Sequence, residues 1–331
     1  MSSIVETHDA FSRVVLALVA AAVFAISASS FDQPTARAEK PWIIDTHTHF
    51  KGEQQVALER RAKRRDPRDT LGRVVVPEDF RQVADRLGIQ STIIVEAVEQ
   101  EHPQFNRWVL GEAKSDLVCG YVARGDLVSE AFGKNYEEYR ASGYLLGYRF
   151  RFDELHGYLD NPAARRNLQR LERDGMVVDL LVEPPQAKDV LRLAGEFPKL
   201  KIVINHCFRA RMKDGETSPQ WRRAVSDCGK HSNVYCKISS IVNFSEAAPF
   251  GRPAPSQLDP YLPVLQPCFD AFGEDRMIFA TNWGVCTHFG KVDDVVGIVT
   301  QFLESQSKTA LKKGMRDNAI RIYGIDPKHL R

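Results

Sequence analysis

The feature that most constrains the fold is an alternation, from Pro41 onward, of short apolar runs with longer amphipathic stretches. Each apolar run has five to eight residues, and most are rich in Val, Ile, Leu or Tyr, as strands buried on both faces should be. The eight runs are Trp42–Thr46, Ser91–Ala97, Leu117–Val122, Leu145–Arg151, Met176–Glu183, Lys201–Cys207, Asn233–Ser239 and Met277–Trp283. This alternation predicts parallel strands that are joined by helical crossovers.

The stretches between the runs carry apolar residues at steps of three and four, as one face of a helix requires. Examples are Pro103–Ser115, Ala163–Arg173, Gln186–Phe197 and Val292–Gln306. Eight strands in succession favour closure into a barrel, and no strand is followed by the GxGxxG turn that an open doubly wound sheet often carries. Because 331 residues accommodate one barrel of roughly 250, the sequence predicts an α/β fold, a single-domain (β/α)8 TIM barrel.

The N-terminal segment has the layout of a secretory signal. Arg13 precedes the apolar run Val14–Ala28, and a polar stretch then ends in the small-x-small sequence Ala36-Arg37-Ala38. The run is shorter than the roughly 20 residues that span a bilayer, which makes a permanent anchor the weaker interpretation. We therefore predict a signal peptide at 1–38. Residues 39–331 then form the barrel domain of an exported, periplasmic or secreted protein with no stable membrane insertion.

The net charge and the cysteine spacing limit the kinds of binding partner and metal site that the sequence predicts. The formal net charge of +2 gives no reason to expect a nucleic-acid partner, and the basic run at 60–65 is interpreted as a solvated helix end or loop. The six cysteines form no CxxC pair and no zinc-finger spacing, so they are predicted to be free and buried, although export would permit a disulfide. The predicted partner is a small-molecule substrate, and a homo-oligomer remains open.

Histidines stand at the predicted C-terminal ends of two strands, where barrel enzymes keep their sites. His47 and His49 lie two apart on the first strand and therefore share one face. Two neutral imidazoles on one face are half of a divalent-metal site. His206 ends the sixth strand, where it follows three apolar residues and Asn205, and its alternative interpretation is a core histidine bonded to a backbone carbonyl.

Charged residues end several of the other strands. Arg149 on the fourth strand suits recognition of a carboxylate or oxyanion, and Arg151 shares its face. Glu96 and Glu183 end the second and fifth strands as candidate metal ligands or as salt-bridge partners of these arginines. Lys237 on the seventh strand adds a positive charge to the site or pairs with a carboxylate.

The eighth strand delivers an amide where a hydrolytic site would be completed by an acid. Asn282 stands at the predicted mouth, and an amide cannot take a proton from water at neutral pH. Two longer connections, Lys51–Gln90 and the proline-rich Ser240–Tyr261, follow strand ends on the same face. They are candidate lids or substrate walls.

Taken in order, these segments resemble the amidohydrolase superfamily, in particular the amidohydrolase-related branch with sugar lactonases and 2-pyrone-dicarboxylate lactonase. The resemblance runs from Trp42 to about Asp326. The segments that carry it are Ile43–Phe50, Ile94–Ala97, Gly147–Arg149, Asp179–Val182, Ile204–His206, Lys237–Ser239, Phe272–Trp283 and Asn318–Gly324.

The resemblance implies a (β/α)8 barrel that hydrolyses a lactone or a related ester or amide. It implies that His47, His49 and His206 bind a metal or polarise the carbonyl, with Glu96 as a further candidate ligand. Arg149 matches the family's substrate-binding arginine, and Lys237 and Trp283 are the other predicted substrate-binding residues. The family's eighth strand normally carries a water-activating aspartate in a Ser-Asp-Trp-Pro-like run, which here reads Thr281-Asn282-Trp283-Gly284.

The fourth strand offers no lysine for a bridging ligand and the fifth offers no histidine. The resemblance therefore implies at most one divalent ion, with zinc as the first choice and a metal-free site as the alternative.

Three functions follow from the sequence. The first is hydrolysis of a small lactone, ester or amide, with Glu96 or Glu183 as an alternative proton acceptor. The second, which Asn282 motivates, is a catalytically impaired barrel that binds a small organic acid or sugar derivative. The third is decarboxylase or hydratase chemistry on the same scaffold.

Overall fold

The computed structural model describes residues 42–61, 72–98, 100–152, 154–248 and 251–331. Eight parallel strands form one sheet in sequential order, and a bridge between Thr48 and Trp283 joins the first strand to the segment that follows the last. The strands are β1 Ile43–Thr48, β2 Ile89–Val95, β3 Val118–Arg124, β4 Leu145–Arg151, β5 Val177–Leu181, β6 Lys201–Ile204, β7 Val234–Ile238 and β8 Met277–Phe279. The predicted (β/α)8 barrel and all eight of its strands are confirmed.

Helices surround the barrel. They are α1 Glu53–Arg61, α2 Pro77–Leu87, α3 Pro103–Glu112, α4 Phe132–Arg140, α5 Glu154–Asp160, α6 Pro162–Arg173, α7 Ala187–Glu196, α8 Pro219–Gly229, α9 Leu262–Phe272, α10 Val292–Gln306, α11 Ala310–Lys312 and α12 Asn318–Tyr323. Four of them begin at a proline, which has the φ of a helix and lacks only an N–H that the first turn leaves unpaired. The helix predicted at Val292–Gln306 matches α10 residue for residue.

The C-terminal end of β6 differs from the prediction. The predicted strand runs to Cys207, whereas the observed strand ends at Ile204. His206, Cys207, Phe208 and Arg209 all have φ between 48° and 57°, which makes one left-handed turn of four non-glycine residues. Left-handed backbone is unfavourable for L-residues, so this turn is held by its tertiary contacts rather than by local preference.

The two long connections are partly structured. Lys51–Gln90 contains α1 and α2, and its last two residues already belong to β2. Of the basic run, Arg60 and Arg61 end α1, while residues 62–71 lie outside the described residues. Ser240–Tyr261 contains two short 3-10 turns, Ile241–Phe244 and Asp259–Tyr261, and residues 249 and 250 are likewise not described.

The inward side chains of the strands form an apolar cluster together with α12. Ile44, Val177 and Ile278, which lie at or near strand starts, pack in one cluster with Ile322 and Tyr323 of that helix. The helix α12 therefore covers the N-terminal end of the barrel and leaves the C-terminal end as the mouth.

The predicted signal peptide and its cleavage after Ala38 fall outside the described residues, so export stays a prediction. Among the helices that the structure does describe, none is both long and apolar enough to cross a membrane. All six cysteines are described as free and buried, as predicted.

Candidate active site

The end of β1 brings two imidazoles together at the barrel mouth. The Nε2 atoms of His47 and His49 lie 3.2 Å apart, and both rings are buried. The Nδ1 atom of His49 lies 2.9 Å from the carbonyl oxygen of Val95 at the end of β2. Because a carbonyl only accepts, His49 donates through Nδ1, and in its neutral form its Nε2 carries a lone pair that faces the mouth.

Both imidazoles are neutral at ordinary pH. Burial, with a further contribution from Arg149, lowers the pKa of His49 to about 3. Burial also lowers the pKa of His47 well below its ordinary value, and the neighbouring His206 and Lys237 act in the same direction. Neutral imidazoles are the form that binds a metal or accepts a proton.

Asn282 faces this pair from the segment after β8. Its φ of 60° lies in the left-handed region, which asparagine tolerates better than most residues. Its Oδ1 lies 3.1 Å from His49 Nε2, and its Nδ2 donates to the hydroxyl of Ser240. In this orientation the amide oxygen and the His49 lone pair are two acceptors side by side. A cation between them relieves that contact, as does a 180° rotation of the amide.

The third histidine lies in the left-handed turn after β6. The His206 ring centroid is 4.6 Å from that of His47, and its Nδ1 lies 2.7 Å from the hydroxyl of Ser239. Burial lowers its pKa well below the ordinary value, followed by the charges of Arg149 and Lys237. The structure thus brings His47, His49, His206 and Asn282 to one place, as the sequence predicts.

Arg149 supplies a positive charge beside the histidines. Its Nη1 donates to the backbone oxygen of Glu96 at 3.0 Å, whereas the Glu96 carboxylate is 3.9 Å from its Nε. Within the described chain this Nε has no hydrogen-bond partner. Burial, and next the charge of Arg151, lower the pKa of Arg149 to about 10. A buried guanidinium with a free donor is suited to an anionic ligand or a developing oxyanion.

Glu96 and Glu183, which were predicted as metal ligands or bases, form ion pairs with arginines. Arg151 donates to both carboxylate oxygens of Glu96 at 3.0–3.1 Å, and the backbone N–H of Val98 donates to Oε2 at 2.7 Å. Glu183 pairs with Arg209 at 3.0 Å. Glu96 therefore has the predicted salt bridge with Arg151 and lies with the arginines rather than among the histidines, whereas Glu183 pairs with Arg209 instead of with Arg149 or Arg151.

Lys237 is not a substrate-contacting residue in this structure. Its side chain has no exposed surface, and its Nζ donates to Asp179 at 2.7 Å and to the backbone oxygen of Thr46 at 3.0 Å. Asp179 also accepts from Tyr323 of α12 and from Asn205. The prediction that Lys237 binds substrate is therefore corrected to the alternative, pairing with a carboxylate, because the strand register turns Lys237 toward β5 beneath the mouth.

Trp283, the other residue predicted to bind substrate, lies in an aromatic cluster. Its ring is nearly buried and packs against Phe50 and Phe80, with centroid distances of 5.6 Å and 4.8 Å. The backbone of Trp283 accepts from His49 N–H, so the residue helps to hold the end of β1.

Several residues of the site were given no individual role by the sequence analysis, although their segments were singled out. Asp45 accepts from the backbone N–H groups of His47 and Thr281 and from the Thr281 hydroxyl, which joins β1 to the end of β8. Burial raises the pKa of Asp45 to about 6. Asp179 could have been found as a carboxylate inside the apolar strand Val177–Leu181, whereas the hydroxyls of Ser239 and Ser240 carry no such signal.

The mouth is almost closed. None of the three histidines is more than 5% exposed, and the cavity that reaches His206 measures only about 10 Å³. Its wall includes Ile241, Phe244 and Tyr261 from the connection Ser240–Tyr261. A larger cavity of about 610 Å³ is lined by Trp108, Phe105 and Val76, and none of the three histidines belongs to its lining.

The fold is a (β/α)8 barrel, and its candidate site groups neutral histidines and an arginine at the strand C-termini. A sequence profile of the family described as Amidohydrolase matches residues 44–325, and the chain belongs to this family.

The chain is also similar to curated proteins, and it shares its fold with solved structures. The L-fucono-1,5-lactonase of Burkholderia ambifaria is 27% identical over 293 residues, which cover 86% of this chain and 96% of that protein. An amidohydrolase from Burkholderia multivorans with bound Zn has a TM-score of 0.75 at 22% identity, covering 86% of this chain and 99% of that one. A probable 2-pyrone-4,6-dicarboxylic acid hydrolase from Acinetobacter baumannii, with citric acid bound, has a TM-score of 0.68 at 17% identity. The match covers 86% of this chain and 100% of that one.

Proposed function

We propose that this protein is a lactonase that hydrolyses a small sugar lactone to its open-chain acid. The observation that carries the proposal is the convergence of His47, His49 and Asn282 beside Arg149 at the strand C-termini. The similarity to the protein named L-fucono-1,5-lactonase supports a lactone of the sugar type.

The charge distribution suits this reaction. When water attacks a lactone carbonyl, negative charge develops on the carbonyl oxygen, and the product is a carboxylate. The Nε donor of Arg149 is buried and has no hydrogen-bond partner within the described chain, so it can stabilise this charge more strongly than water does.

We propose that the site holds a single divalent ion, with zinc as the first choice. The Nε2 atoms of His47 and His49 and the Oδ1 of Asn282 form a nitrogen and oxygen donor set, and a cation relieves the contact between two acceptors at 3.1 Å. Such an ion, when bound, supplies Lewis-acid polarisation and lowers the pKa of a bound water. The positive charges of Arg149 and Lys237 oppose its binding, which makes a metal-free site the alternative.

Proton removal is the weak step of this site. Asn282 can orient a water molecule but cannot accept its proton, and the carboxylates of Glu96 and Glu183 are held by arginines. A positioned base is worth about 10²–10⁴-fold in rate. We therefore expect slow turnover compared with a barrel that carries an aspartate at this position.

Substrate entry requires the mouth to open. The histidines are almost fully buried, and Ile241, Phe244 and Tyr261 close the small cavity beside His206. We propose that the described turn Ile241–Phe244 in this wall moves aside to admit a lactone.

Asn282 also favours a second candidate function, a barrel that binds a sugar acid without turning it over. The same arginine and histidines would then recognise the carboxylate of the ligand rather than a transition state.

A substrate panel with metal analysis tests the proposal. Purified protein, assayed for metal content and after chelation, is given aldono-1,5-lactones, a carboxylated pyrone lactone and a simple aryl ester. We expect hydrolysis of an aldonolactone that is lost in His49→Ala. Binding of the matching aldonic acid without any lactone turnover would favour the second candidate instead.

A further inference from the structure

Three buried thiols converge behind the reaction centre. The Sγ atoms of Cys207, Cys236 and Cys268 all lie within 4.8 Å of one another. They come from three elements, the left-handed turn after β6, the strand β7 and the helix α9. All three side chains are essentially without exposed surface. Among the described residues, no other group of three His, Cys, Asp or Glu ligand atoms lies this close together.

The cluster lies in the layer between the barrel and its outer helices. Lys237 points into the barrel, where it contacts Asp179, so its strand neighbour Cys236 faces the opposite side, toward α9. Cys207 follows His206 in the left-handed turn, a conformation that L-residues rarely adopt, and its thiol contacts the backbone oxygen of Lys237 at 3.7 Å. The same turn therefore places His206 at the mouth and Cys207 in the thiol cluster.

We infer that Cys207, Cys236 and Cys268 form a binding site for one soft metal ion of the copper(I) class. Thiolates select soft ions, and three sulfur donors without a carboxylate leave hard cations no ligands. The default role of a buried thiol is that of a small apolar side chain, and three isolated cysteines would need no further account. Convergence of three thiols from three elements is what sets this group apart from Cys119 and Cys286.

The distances fit such an ion with small movements. Three thiolates in one plane around an ion at about 2.3 Å lie about 4 Å from each other. The present separations of up to 4.8 Å therefore need to contract by less than about 1 Å. Binding would release the thiol protons to solvent.

The donor count favours a three-coordinate ion over zinc. Structural zinc sites are almost always four-coordinate. The adjoining cavity, lined by Cys207 and His206, has a volume of about 10 Å³. This is at the lower limit for holding one water molecule, so a fourth ligand has little room.

Anaerobic competition with a colorimetric copper(I) chelator tests the inference. The reduced protein should bind one copper(I) per chain, and Cys119→Ala, an equally buried thiol outside the cluster, should bind it unchanged. The double variant Cys236→Ala/Cys268→Ala should bind more than about 100-fold more weakly, because even loss of an outer partner costs roughly 10–100-fold in metal affinity. His49→Ala should retain the wild-type affinity.

Wild-type affinity in the double variant, or loss of binding in His49→Ala alone, would overturn the inference, since the ion would then lie at the mouth histidines. If the double variant does not fold, X-ray absorption of the copper-loaded wild-type protein decides. Three sulfur neighbours at about 2.3 Å are expected, whereas nitrogen neighbours contradict the site.

Discussion

Arg149 and Asn282 determine what the mouth of this barrel can do chemically. The guanidinium is buried next to three neutral imidazoles, and its closest carboxylate is engaged by Arg151. The amide lies where an acid would complete the site. The residues that stabilise negative charge are therefore in place, whereas the acid that would accept a proton at the end of β8 is replaced by an amide.

Replacement of Arg149 tests whether its guanidinium stabilises negative charge during the reaction. Arg149→Met keeps most of the side-chain volume and removes the donors, so kcat should fall by about 10²–10³-fold on any lactone that the protein hydrolyses, the cost of losing one oxyanion donor. Arg151→Met is the matched control, because Arg151 is bound to Glu96 and should affect kcat less. Equal losses in both variants would show that the pair acts only through structure.

At the scale of elements, two features position the side chains of the site. One is the left-handed turn after β6, and the other is the buried ion pair between Asp179 on β5 and Lys237 on β7. The turn places His206 at the mouth at the expense of unfavourable backbone angles. Lys237 and Asp179 join two strands to α12 through Tyr323. The turn therefore introduces backbone strain next to the site, and the Lys237–Asp179 pair places buried charge beneath it.

The strain in the turn can be measured at its most exposed residue. Arg209→Gly and Arg209→Ala both remove the ion pair with Glu183, but only glycine accepts a φ of 51° without penalty. The Gly variant should have a free energy of unfolding up to about 1 kcal/mol higher than the Ala variant. Denaturant unfolding of the two proteins measures this difference, and an Ala variant of higher stability would refute a left-handed turn here.

The buried pair should be far more costly to break than to replace. Lys237→Met leaves Asp179 charged and unpaired in the barrel, which should lower the free energy of unfolding by about 3–5 kcal/mol. The double variant Lys237→Met/Asp179→Asn removes both buried charges and keeps one acceptor oxygen for Tyr323, so it should recover a large part of this loss. Chemical denaturation of both variants provides the comparison; a double variant no more stable than the single one would contradict the pairing.

At the scale of the whole molecule, barrel closure depends on contacts between β1 and the end of β8. Asp45 binds Thr281, the Thr46 hydroxyl donates to Phe279, and His49 N–H donates to Trp283. The strand that carries the histidines and the segment that carries Asn282 are thus joined at the seam of the barrel. Stability and the geometry of the site are expected to change together here.

Thr281→Val tests the contact between β1 and the end of β8 that Thr281 makes with Asp45. Loss of its hydroxyl removes a hydrogen bond to the buried Asp45 carboxylate and should lower the free energy of unfolding by about 1–3 kcal/mol. The control is Thr300→Val on α10, because the buried hydroxyl of Thr300 has no hydrogen-bond partner in the described part of the chain. Equal effects of the two substitutions on thermal or denaturant unfolding would argue against the Asp45 contact.

Regular periodicity made much of this architecture predictable. The strand alternation and the two-residue spacing of His47 and His49 depend only on local geometry, so the barrel and its first two site residues follow from the sequence. The turn at His206–Arg209 could not be predicted, because none of its residues is a glycine, the residue type that usually indicates positive φ angles. Pairing of Lys237 with Asp179, 58 residues apart, and of Glu96 with Arg151 depends on strand register, which apolar patterning leaves undetermined.

The most direct measurement of the central claim is the kcat of Asn282→Asp on the aldonolactone panel, beside the wild type and Asn282→Ala. Aspartate tolerates the left-handed φ at this position and restores a base beside His49, so kcat should rise by about 10²–10⁴-fold over the wild type. Asn282→Ala should show no such gain. A folded Asn282→Asp protein that turns over no lactone faster than the wild type would contradict hydrolysis at this centre.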